Sequence, residues 1–487
     1  MLVASPSLKP KLTSMKSFFC FLFILFITCF VSAQVFDVDT IKTSVANEKG
    51  INLVFMGDGY TATELDQFIT DATNFSNSLF SQSPFDAYSD YFNVYAIKVI
   101  SNESGADHPG TGSTSEETNW PVPTTNVDTF FNATFDSFGN HFLLFYEIDG
   151  NYSNNTEAKI INVLADNFPT YDEALILVNS PYYGGSGGNF PMASTGTSSD
   201  EIAIHELGHS LFDLKDEYYP GDALAGEAIN MTQDTDVNTV KWKNWIGSND
   251  VGIYPYAASG NAATWHRPHQ SCKMRVLGVP FCSVCKEGII EKIHSLVSPI
   301  KTYTPNSNVV ETETFPLEFQ LDLIKPDPNT LESEWTLNTV NFANNADNVS
   351  ILETDLEEGI NTLTTVVQDN STFLRVDNHD SFHVYTVTWT INYSTLGIET
   401  IESNANNFNI SLFPNPTQDV LNLKIESSAS SNVKVDILSL DGKTIKSIRL
   451  SNLESKQIDI SKLSPGVYLT NFYSGNILIA SKKLVKN

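Results

Sequence analysis

The feature that most constrains this chain is a His-Glu-x-x-His segment set among apolar residues. In Asp200-Glu-Ile-Ala-Ile-His-Glu-Leu-Gly-His-Ser-Leu-Phe, His205 and His209 are four positions apart. On a helix, that spacing places both imidazoles on one face, a turn apart, where they can bind one metal ion. The flanking residues are those of a buried helix rather than a surface one: Ile202, Ala203, Ile204, Leu207, Leu211 and Phe212.

The residue types in this segment favour zinc. Zinc binds neutral imidazole nitrogen at about 2.0–2.1 Å and keeps one position open for water in catalytic sites. Glu206 follows the first histidine, where it can take a proton from that water and pass it to a leaving amine. We therefore expect one catalytic Zn²⁺ bound by His205 and His209, with Glu206 as the general base.

A site of this kind needs a third protein ligand. In metzincin-type zinc peptidases a glycine turns the chain after the helix, and a His or Asp ten residues after the first His is the third ligand. Here the tenth position is Lys215, which cannot ligate as a cation, and Asp216 comes one residue later. Asp213 stands where the chain would turn, and Asp tolerates left-handed geometry better than most residues. We predict Asp216 as the ligand, with Glu217 and Glu227 as open alternatives.

Length and charge narrow the remaining possibilities. At 487 residues the chain is too long for one core, and about 150 residues per domain suggests roughly three domains. The formal net charge of −29 repels nucleic acid and anionic membrane surfaces, so neither is an expected partner.

The N-terminus has the order of a secretory signal. Lys9, Lys11 and Lys16 precede an apolar run from Phe18 to Val31, and small residues follow up to Ala33. About 14 apolar residues fall short of the ~20 that span a bilayer, so no stable membrane span is expected. We predict a signal peptide over residues 1–33 and an exported mature protein.

The cysteines left after signal removal are Cys272, Cys282 and Cys285. In an oxidising compartment, one local disulfide with one spare thiol is the default expectation. A zinc knuckle built on Cys282-Ser-Val-Cys285 is the alternative, and it would need a fourth ligand.

The pattern of apolar and polar residues changes along the chain. Residues 34–298 interleave strand and helix patterns, which predicts an α+β or α/β domain. Residues 299–394 alternate at period two between turn residues, which predicts an immunoglobulin-like β-sandwich. A polar linker over 395–410 and a last set of short strands over 411–487 complete the predicted organisation.

A glycine-rich stretch precedes the predicted metal helix by about 20 residues. Its glycines are Gly184, Gly185, Gly187 and Gly188. Glycines let a backbone approach closely, so this stretch is either an edge strand that pairs with an extended substrate or a flexible connector.

Beyond these patterns, the run H-E-L-G-H-S-L-F-D-L-K-D-E-Y-Y resembles the IgA-peptidase-type family of bacterial metalloendopeptidases. Val54-Phe-Met-Gly-Asp-Gly-Tyr-Thr and His266-Arg-Pro-His-Gln-Ser-Cys-Lys-Met-Arg look like the same family, and the resemblance covers about Val35 to Ser298. It implies a metzincin-like domain that acts on proteins or peptides, with Met274 in a turn beneath the zinc. Many metzincins carry a tyrosine two residues after that methionine, but here the residue is Val276.

The C-terminal stretch resembles the type A sorting domain of the type IX secretion system. Ser411-Leu-Phe-Pro-Asn-Pro-Thr, Leu463-Ser-Pro-Gly-Val-Tyr-Leu and the basic end Lys482-Lys-Leu-Val-Lys carry this resemblance. It implies that the type IX machinery is a partner and that a Gram-negative Bacteroidetes-type bacterium exports the protein to its surface or medium.

Two functions therefore compete. The first is a secreted zinc-dependent endopeptidase, and the second is a non-catalytic cell-surface binding or adhesion protein with a structural zinc fold. Glu206 favours the first, because a structural site needs no base beside its ligand.

Overall fold

The computed structural model describes residues 35–146, 155–219, 221, 224–311, 314–377, 383–394, 408–427, 432–450, 456–475 and 477–487. The predicted signal peptide lies outside the described residues, as does most of the predicted linker. Within the described ranges, no helix is both long enough and apolar enough to cross a membrane.

The first region interleaves helices and strands, as predicted. The helices described there are α1 (Leu65–Phe80), α2 (Thr114–Asn119), α3 (Asn155–Asn167), α4 (Ser199–Ser210) and α5 (Ser283–Leu296). The strands described there are β1 (Val38–Lys42), β2 (Ile51–Asp58), β3 (Phe92–Ile97), β4 (Ala133–Thr134), β5 (Phe145–Tyr146), β6 (Glu173–Val178), β7 (Gly185–Ser186), β8 (Met192–Ser194), β9 (Tyr254–Pro255) and β10 (His266–Arg267).

A six-stranded sheet organises this region, in the order β1-β3-β2-β6-β8-β7. The four inner strands are parallel. At one edge β1 pairs antiparallel with β3, and at the other edge β7 pairs antiparallel with β8. Every residue of β2, β3 and β6 is buried, as expected for parallel strands covered on both faces. Leu53 and Phe55 face a core shared with α1, α4 and α5, whereas Val54 and Met56 face a core shared with α3.

The second region consists of two sheets. Its strands are β11 (Ile300–Thr304), β12 (Val309–Glu311), β13 (Leu317–Leu323), β14 (Leu331–Leu337), β15 (Val340–Asn344), β16 (Asn348–Ile351), β17 (Gly359–Asp369) and β18 (Tyr385–Tyr393). The sheets have the orders β11-β13-β16 and β12-β18-β17-β14-β15 and enclose one core, in which Trp335 and Trp389 stack. The period-two burial of β14 and β17 accounts for the alternating pattern that predicted strands here.

Buried polar contacts attach the second region to the first. Tyr88 donates a hydrogen bond of 2.5 Å to Asp369, and His294 of α5 lies 2.8 Å from the same carboxylate. Tyr91 donates to the Ile324 carbonyl at 2.9 Å. Because these groups are buried, separating the two regions would leave polar groups unsatisfied.

The last region is again all strand. Its strands are β19 (Phe408–Phe413), β20 (Val420–Ser427), β21 (Val433–Ser439), β22 (Thr444–Leu450), β23 (Lys456–Asp459), β24 (Gly466–Ser474) and β25 (Ile477–Lys486). They form sheets in the orders β19-β20-β23 and β22-β21-β24-β25. Strand β19 begins three residues before the predicted boundary at Ser411. The expectation of a β-rich C-terminal part is confirmed.

Candidate metal centre

Helix α4 presents the three predicted residues. It begins at Ser199 and carries Asp200 and Glu201 in its first turn, where acidic side chains complement the helix dipole. After Ser210 the chain reverses direction through Asp213, whose φ is 57°. The amide of Leu214 then donates to the Gly208 carbonyl at 2.9 Å. The predicted left-handed turn at Asp213 is confirmed, and it returns the chain toward the histidines.

The two imidazoles converge on one carboxylate oxygen. Nε2 of His205 and Nε2 of His209 each lie 3.1 Å from Oδ1 of Asp216. Each ring has its Nδ1 at a backbone carbonyl: His205 at Lys273 (2.9 Å) and His209 at Leu214 (2.7 Å). An Nδ1–H that donates to a carbonyl fixes the tautomer and leaves the Nε2 lone pair directed into the site.

This arrangement fits a bound metal ion. Two imidazole nitrogens and a carboxylate oxygen around tetrahedral zinc are about 3.3 Å apart, given bonds of about 2.0–2.1 Å. The structure shows 3.1 Å for both nitrogen–oxygen pairs. Burial opposes ionisation of Asp216, but the two histidine rings beside it lower the pKa of its carboxyl to about 2. The third donor is therefore an anion at neutral pH, as a ligand must be.

Glu206 lies beside these groups without replacing Asp216. One of its carboxylate oxygens is within 4.8 Å of the ligand nitrogens of His205 and His209. Burial raises the pKa of Glu206, and the neighbouring histidines oppose that shift. A carboxylate in this position has the reach and the basicity expected of a general base.

Gly187 fixes the position of that carboxylate. A Cβ atom at residue 187 would lie 2.1 Å from Oε2 of Glu206, so no larger residue fits while Glu206 keeps its place. Residue 187 does not have a positive φ, so this close approach is the constraint. Of the four glycines singled out in the sequence, Gly187 is the one that contacts the predicted base.

We predict that Gly187→Ala displaces Glu206 and lowers turnover at least tenfold while the protein keeps its metal. The reason is steric, because the new methyl group would overlap a carboxylate whose misplacement by about 1 Å is costly. Peptide-cleavage rate and metal content, measured on the same preparation, test the prediction. Gly226→Ala is the matched control, because its nearest neighbour would be 3.9 Å away. Equal activity of the two variants would contradict the assignment.

The other glycines occupy a sheet edge. Strand β7 is the edge strand next to β8, as one of the two sequence interpretations requires. At Gly185, however, the amide donates to the Phe142 carbonyl and the carbonyl accepts from the Leu144 amide. Gly184 donates to the Ser199 hydroxyl. Pairing with a substrate therefore remains a proposal for Gly187 and Gly188 only.

Met274 supports the helix from below. Its side chain is fully buried, and its sulfur would lie 2.7 Å from a Cβ placed on Gly208. The glycine between the two histidines therefore lets the methionine pack directly against the helix. The preceding carbonyl, of Lys273, orients His205.

The rival carboxylates lie elsewhere. Glu217 is fully buried and its Oε1 is 3.2 Å from the sulfur of Cys285. Glu227 pairs with Lys241 at 2.5 Å and is half-exposed. Of the three candidates, the structure places only Asp216 against both histidines. The expected disulfide is absent: Cys272, Cys282 and Cys285 are all free, and the sulfurs of Cys272 and Cys285 are 3.6 Å apart.

Depressions open on both sides of Glu206. One, of about 400 Å³, is lined by residues including Tyr183, Ile202, His205, Tyr218 and Arg275. The other, of about 570 Å³, is lined by residues including Gly188, His209, Ser210, Lys215 and Glu227. Glu206 lines both depressions, which we together call the cleft, and the metal-binding groups border it.

Sequence reasoning did not identify Tyr218 as a site residue. Its ring centroid is 6.2 Å from that of His205. Burial, and then the charges of Asp216 and Glu206, raise the pKa of Tyr218 to about 12. It is therefore a hydrogen-bond donor at neutral pH. The sequence feature that could have identified Tyr218 is its position two residues after the predicted ligand Asp216.

Family models match two parts of the chain. The model described as IgA Peptidase M64 matches residues 40–259. The model described as a secretion system C-terminal sorting domain matches residues 411–487. No curated protein matches the chain.

The solved structures similar to this chain are distant. Dimeric latent PorU from Porphyromonas gingivalis is 18% identical, with a TM-score of 0.14, over 31% of this chain and 14% of its own. The β-glucuronidase 3 of Bacteroides uniformis is 10% identical, with a TM-score of 0.15, over 47% and 29%. Fibronectin(III)-like modules of Clostridium thermocellum CbhA are 11% identical, with a TM-score of 0.14, over 38% and 93%. The chain thus spans less than a third of the first two proteins.

Proposed function

We propose, from the premise that residues 40–259 form an IgA peptidase M64 domain and residues 411–487 a type IX sorting domain, that this protein is an exported zinc-dependent endopeptidase. The M64 peptidases are metallopeptidases, and the sorting domain implies export by the type IX machinery. The observation that carries the proposal is the convergence of His205, His209 and Asp216 beside Glu206. Cleavage of an unfolded protein by the purified chain, with and without metal, tests it.

Zinc suits the donor set best. Two imidazoles and one carboxylate with an open fourth position form a common catalytic zinc site. His205, His209 and Asp216 would hold the ion, and the Lys273 and Leu214 carbonyls would orient the two rings. Met274 would support the site from below, as in the metzincin-like arrangement that the sequence resemblance implies.

The chain's own groups can carry the proton transfers of peptide hydrolysis. A bound zinc ion would polarise the scissile carbonyl and increase the acidity of a water molecule. Glu206 accepts the proton of the attacking water and later donates it to the leaving amine. Tyr218, a protonated phenol close to the metal-binding groups, donates a hydrogen bond to the oxygen that gains charge. Tyr218 would thus take the hydrogen-bonding role of the tyrosine that many metzincins carry at the position where this chain has Val276.

The cleft favours cleavage inside a chain. A polypeptide that crosses the metal site needs room on both sides of the scissile bond, and two depressions border Glu206, one lined by His205 and the other by His209. An exopeptidase, by contrast, needs a closed end that binds a terminus. We therefore assign an endopeptidase.

A binding protein with a structural zinc fold is the alternative function. A structural zinc site is normally closed by four protein ligands. Here Asp216 and the two histidines supply three ligands. The carboxylate of Glu206, whose position Gly187 fixes, lies beside them as a base. That geometry supports catalysis over adhesion.

Export provides a separate prediction. A chain that ends at residue 407, before β19, should accumulate in the periplasm of its native host and keep full peptidase activity in lysates. The sorting domain contributes no residue to the metal centre, so activity and export should separate. Immunoblots and activity assays of periplasm, surface and medium measure both. Normal appearance of the truncated chain in the medium would contradict the role of residues 411–487.

A further inference from the structure

A second cluster of metal-binding side chains lies beneath the proposed active site. It consists of Glu217, Cys272, Cys282 and Cys285, which we call the Cys₃Glu cluster. The relative exposure is 0% for Glu217, Cys272 and Cys285, and 7% for Cys282. One donor atom from each residue lies within 4.8 Å of all the others. The cluster joins three parts of the chain. Glu217 lies in the segment after α4, Cys272 lies in the segment that packs beneath α4, and Cys282 and Cys285 lie at the start of α5.

The separations are those of four ligands around one zinc ion. Zinc–sulfur bonds of about 2.3 Å and zinc–oxygen bonds of about 2.0–2.2 Å place tetrahedral ligands about 3.5–3.8 Å apart. The sulfurs of Cys272 and Cys285 are 3.6 Å apart. Oε1 of Glu217 is 3.2 Å from the Cys285 sulfur and 4.0 Å from the Cys282 sulfur.

A disulfide would not satisfy the buried groups of this cluster. It needs about 2.05 Å between sulfurs, and it would leave one thiol and one buried carboxyl without a role. Oε2 of Glu217 has no hydrogen-bond partner among the described residues. A buried carboxylate without a cation is costly, and a metal ion removes that cost.

We propose that the Cys₃Glu cluster binds a structural zinc ion with Glu217 as the fourth ligand. Cys282 and Cys285 form a C-x-x-C pair in which Cys282 is the N-cap of α5. The positive end of that helix stabilises thiolates. The Cys282 amide also donates to the Cys272 sulfur at 3.2 Å, which orients a ligand from outside the metal shell.

This zinc ion would stabilise the active site from below. Glu217 directly follows Asp216, and the Glu217 amide donates to the Met274 carbonyl at 2.7 Å. Cys272 directly precedes Lys273, whose carbonyl orients His205. The ion therefore fixes the two segments that support the proposed catalytic ligands.

Cobalt substitution tests the Cys₃Glu cluster without using peptidase activity. The catalytic donors contain no sulfur, so a thiolate-to-cobalt charge-transfer band in the near ultraviolet reports only on this cluster. We expect the band in the full chain loaded with Co²⁺ and equally in His205→Ala/His209→Ala. We expect Cys282→Ser/Cys285→Ser to lose it.

The wild-type protein gives an answer even if the cysteine variants do not fold. Alkylation of the mature protein, without the predicted signal peptide that contains Cys20 and Cys29, should modify three thiols per chain after denaturation with chelator and without reductant. Modification of only one thiol would reveal a disulfide and overturn the proposal, as would three free thiols with no cobalt band. Loss of peptidase activity alone changes neither the cobalt band nor the number of alkylated thiols. Failure of the Cys₃Glu proposal is therefore distinguishable from failure of the proposed function.

A different set of residues forms a third cluster at the cleft wall. In this cluster two histidine nitrogens lie opposite two carboxylate oxygens. Its residues are His108, Glu117 on α2, Asp136 and His141. His108 Nε2 is 3.2 Å from Asp136 and 3.6 Å from Glu117, while His141 Nδ1 is 3.1 Å and 3.2 Å from the same two carboxylates. These values bracket the ~3.3 Å expected between nitrogen and oxygen ligands of tetrahedral zinc.

The surroundings of both histidine rings favour a cation among them. Nε2 of His141 lies 2.7 Å from the Trp120 carbonyl and must donate to it. A neutral His141 therefore directs its Nδ1 lone pair at two carboxylate oxygens, which is repulsive unless a cation lies between them. His108 is 1% exposed, and neither of its ring nitrogens has a hydrogen-bond partner among the described residues. Buried rings without such partners are rare in folded proteins.

We infer that these four residues bind a further structural zinc ion. Two imidazoles select zinc over calcium, and two carboxylates balance its charge. Glu116 and Asn140, the chain neighbours of two ligands, line the cleft beside His205. The ion would therefore hold in place the loops that form this wall.

Metal counting tests the cluster of His108, Glu117, Asp136 and His141. In the His205→Ala/His209→Ala background, the full chain should retain two zinc ions per molecule. Adding Glu117→Ala should reduce the count to one and leave the cobalt–thiolate band unchanged. Glu116→Ala, on the same helix, is the matched control and should retain two. An unchanged count with Glu117→Ala would show an imidazolium–carboxylate cluster instead and overturn the inference. So would a count of one before that substitution in a chain that shows the cobalt–thiolate band.

Discussion

Replacing Glu206 by Gln should lower the rate of peptide cleavage by about 10² to 10⁴ while metal content stays the same. Gln has nearly the same shape as Glu, so it preserves the contact with Gly187, but it cannot accept the proton of water. Because Glu206 is not one of the three convergent ligands, the metal should remain bound. Turnover on an unfolded protein and metal analysis of the same sample measure both effects.

Glu227→Gln is the control for this variant. Glu227 lines the same cleft but forms an ion pair with Lys241 at its rim, so its loss should leave the rate within about a factor of two. A Glu206→Gln protein with near-normal turnover and full metal content would remove Glu206 from the mechanism.

Asp216→Ala should release the catalytic metal on dialysis and abolish activity. Two imidazoles alone hold zinc weakly. Of the two nearby carboxylates, Glu217 is directed into the Cys₃Glu cluster, and Glu206 is held beside the histidines by its contact with Gly187 rather than in the place of Asp216. We expect bound zinc to fall by one equivalent per chain. Equilibrium dialysis followed by metal analysis gives the count directly.

The matched control is Asp213→Asn, at the turn three residues earlier. Asn keeps the left-handed conformation that Asp213 adopts and removes only a surface ion pair with Lys292. Its metal content and activity should be unchanged. Retention of the catalytic zinc by Asp216→Ala would mean that another residue is the third ligand.

The central part of this site could be predicted because its signals are local. His205, Glu206 and His209 follow from one helix, and the turn at Asp213 follows from residue preference. The choice of Asp216 over Glu217 rested on its place just after the turn at Asp213, and the divergence of adjacent side chains implied that only one of the two would reach the metal. The structure shows such a divergence, since Asp216 faces the histidines and Glu217 faces the cysteines.

The features that sequence reasoning missed depend on long-range contacts. Glu217 and Cys285 meet although 68 positions separate them, so no spacing rule links them. His108 and His141 come together through separate loops for the same reason. The disulfide expectation was wrong because no local pattern indicates that a buried carboxylate accompanies the three thiols.

The measurement that tests the central claim most directly is cleavage of a reduced, alkylated, unfolded protein by the purified full chain. We expect cuts at internal bonds, complete loss of cutting after treatment with a chelator, and recovery when zinc is returned. Mass spectrometry of the fragments should show new termini inside the substrate and no ladder from either end. Undiminished cutting by a chain whose metal content is zero would contradict the proposed metal mechanism. So would a metal-loaded wild-type chain that cleaves no peptide bond.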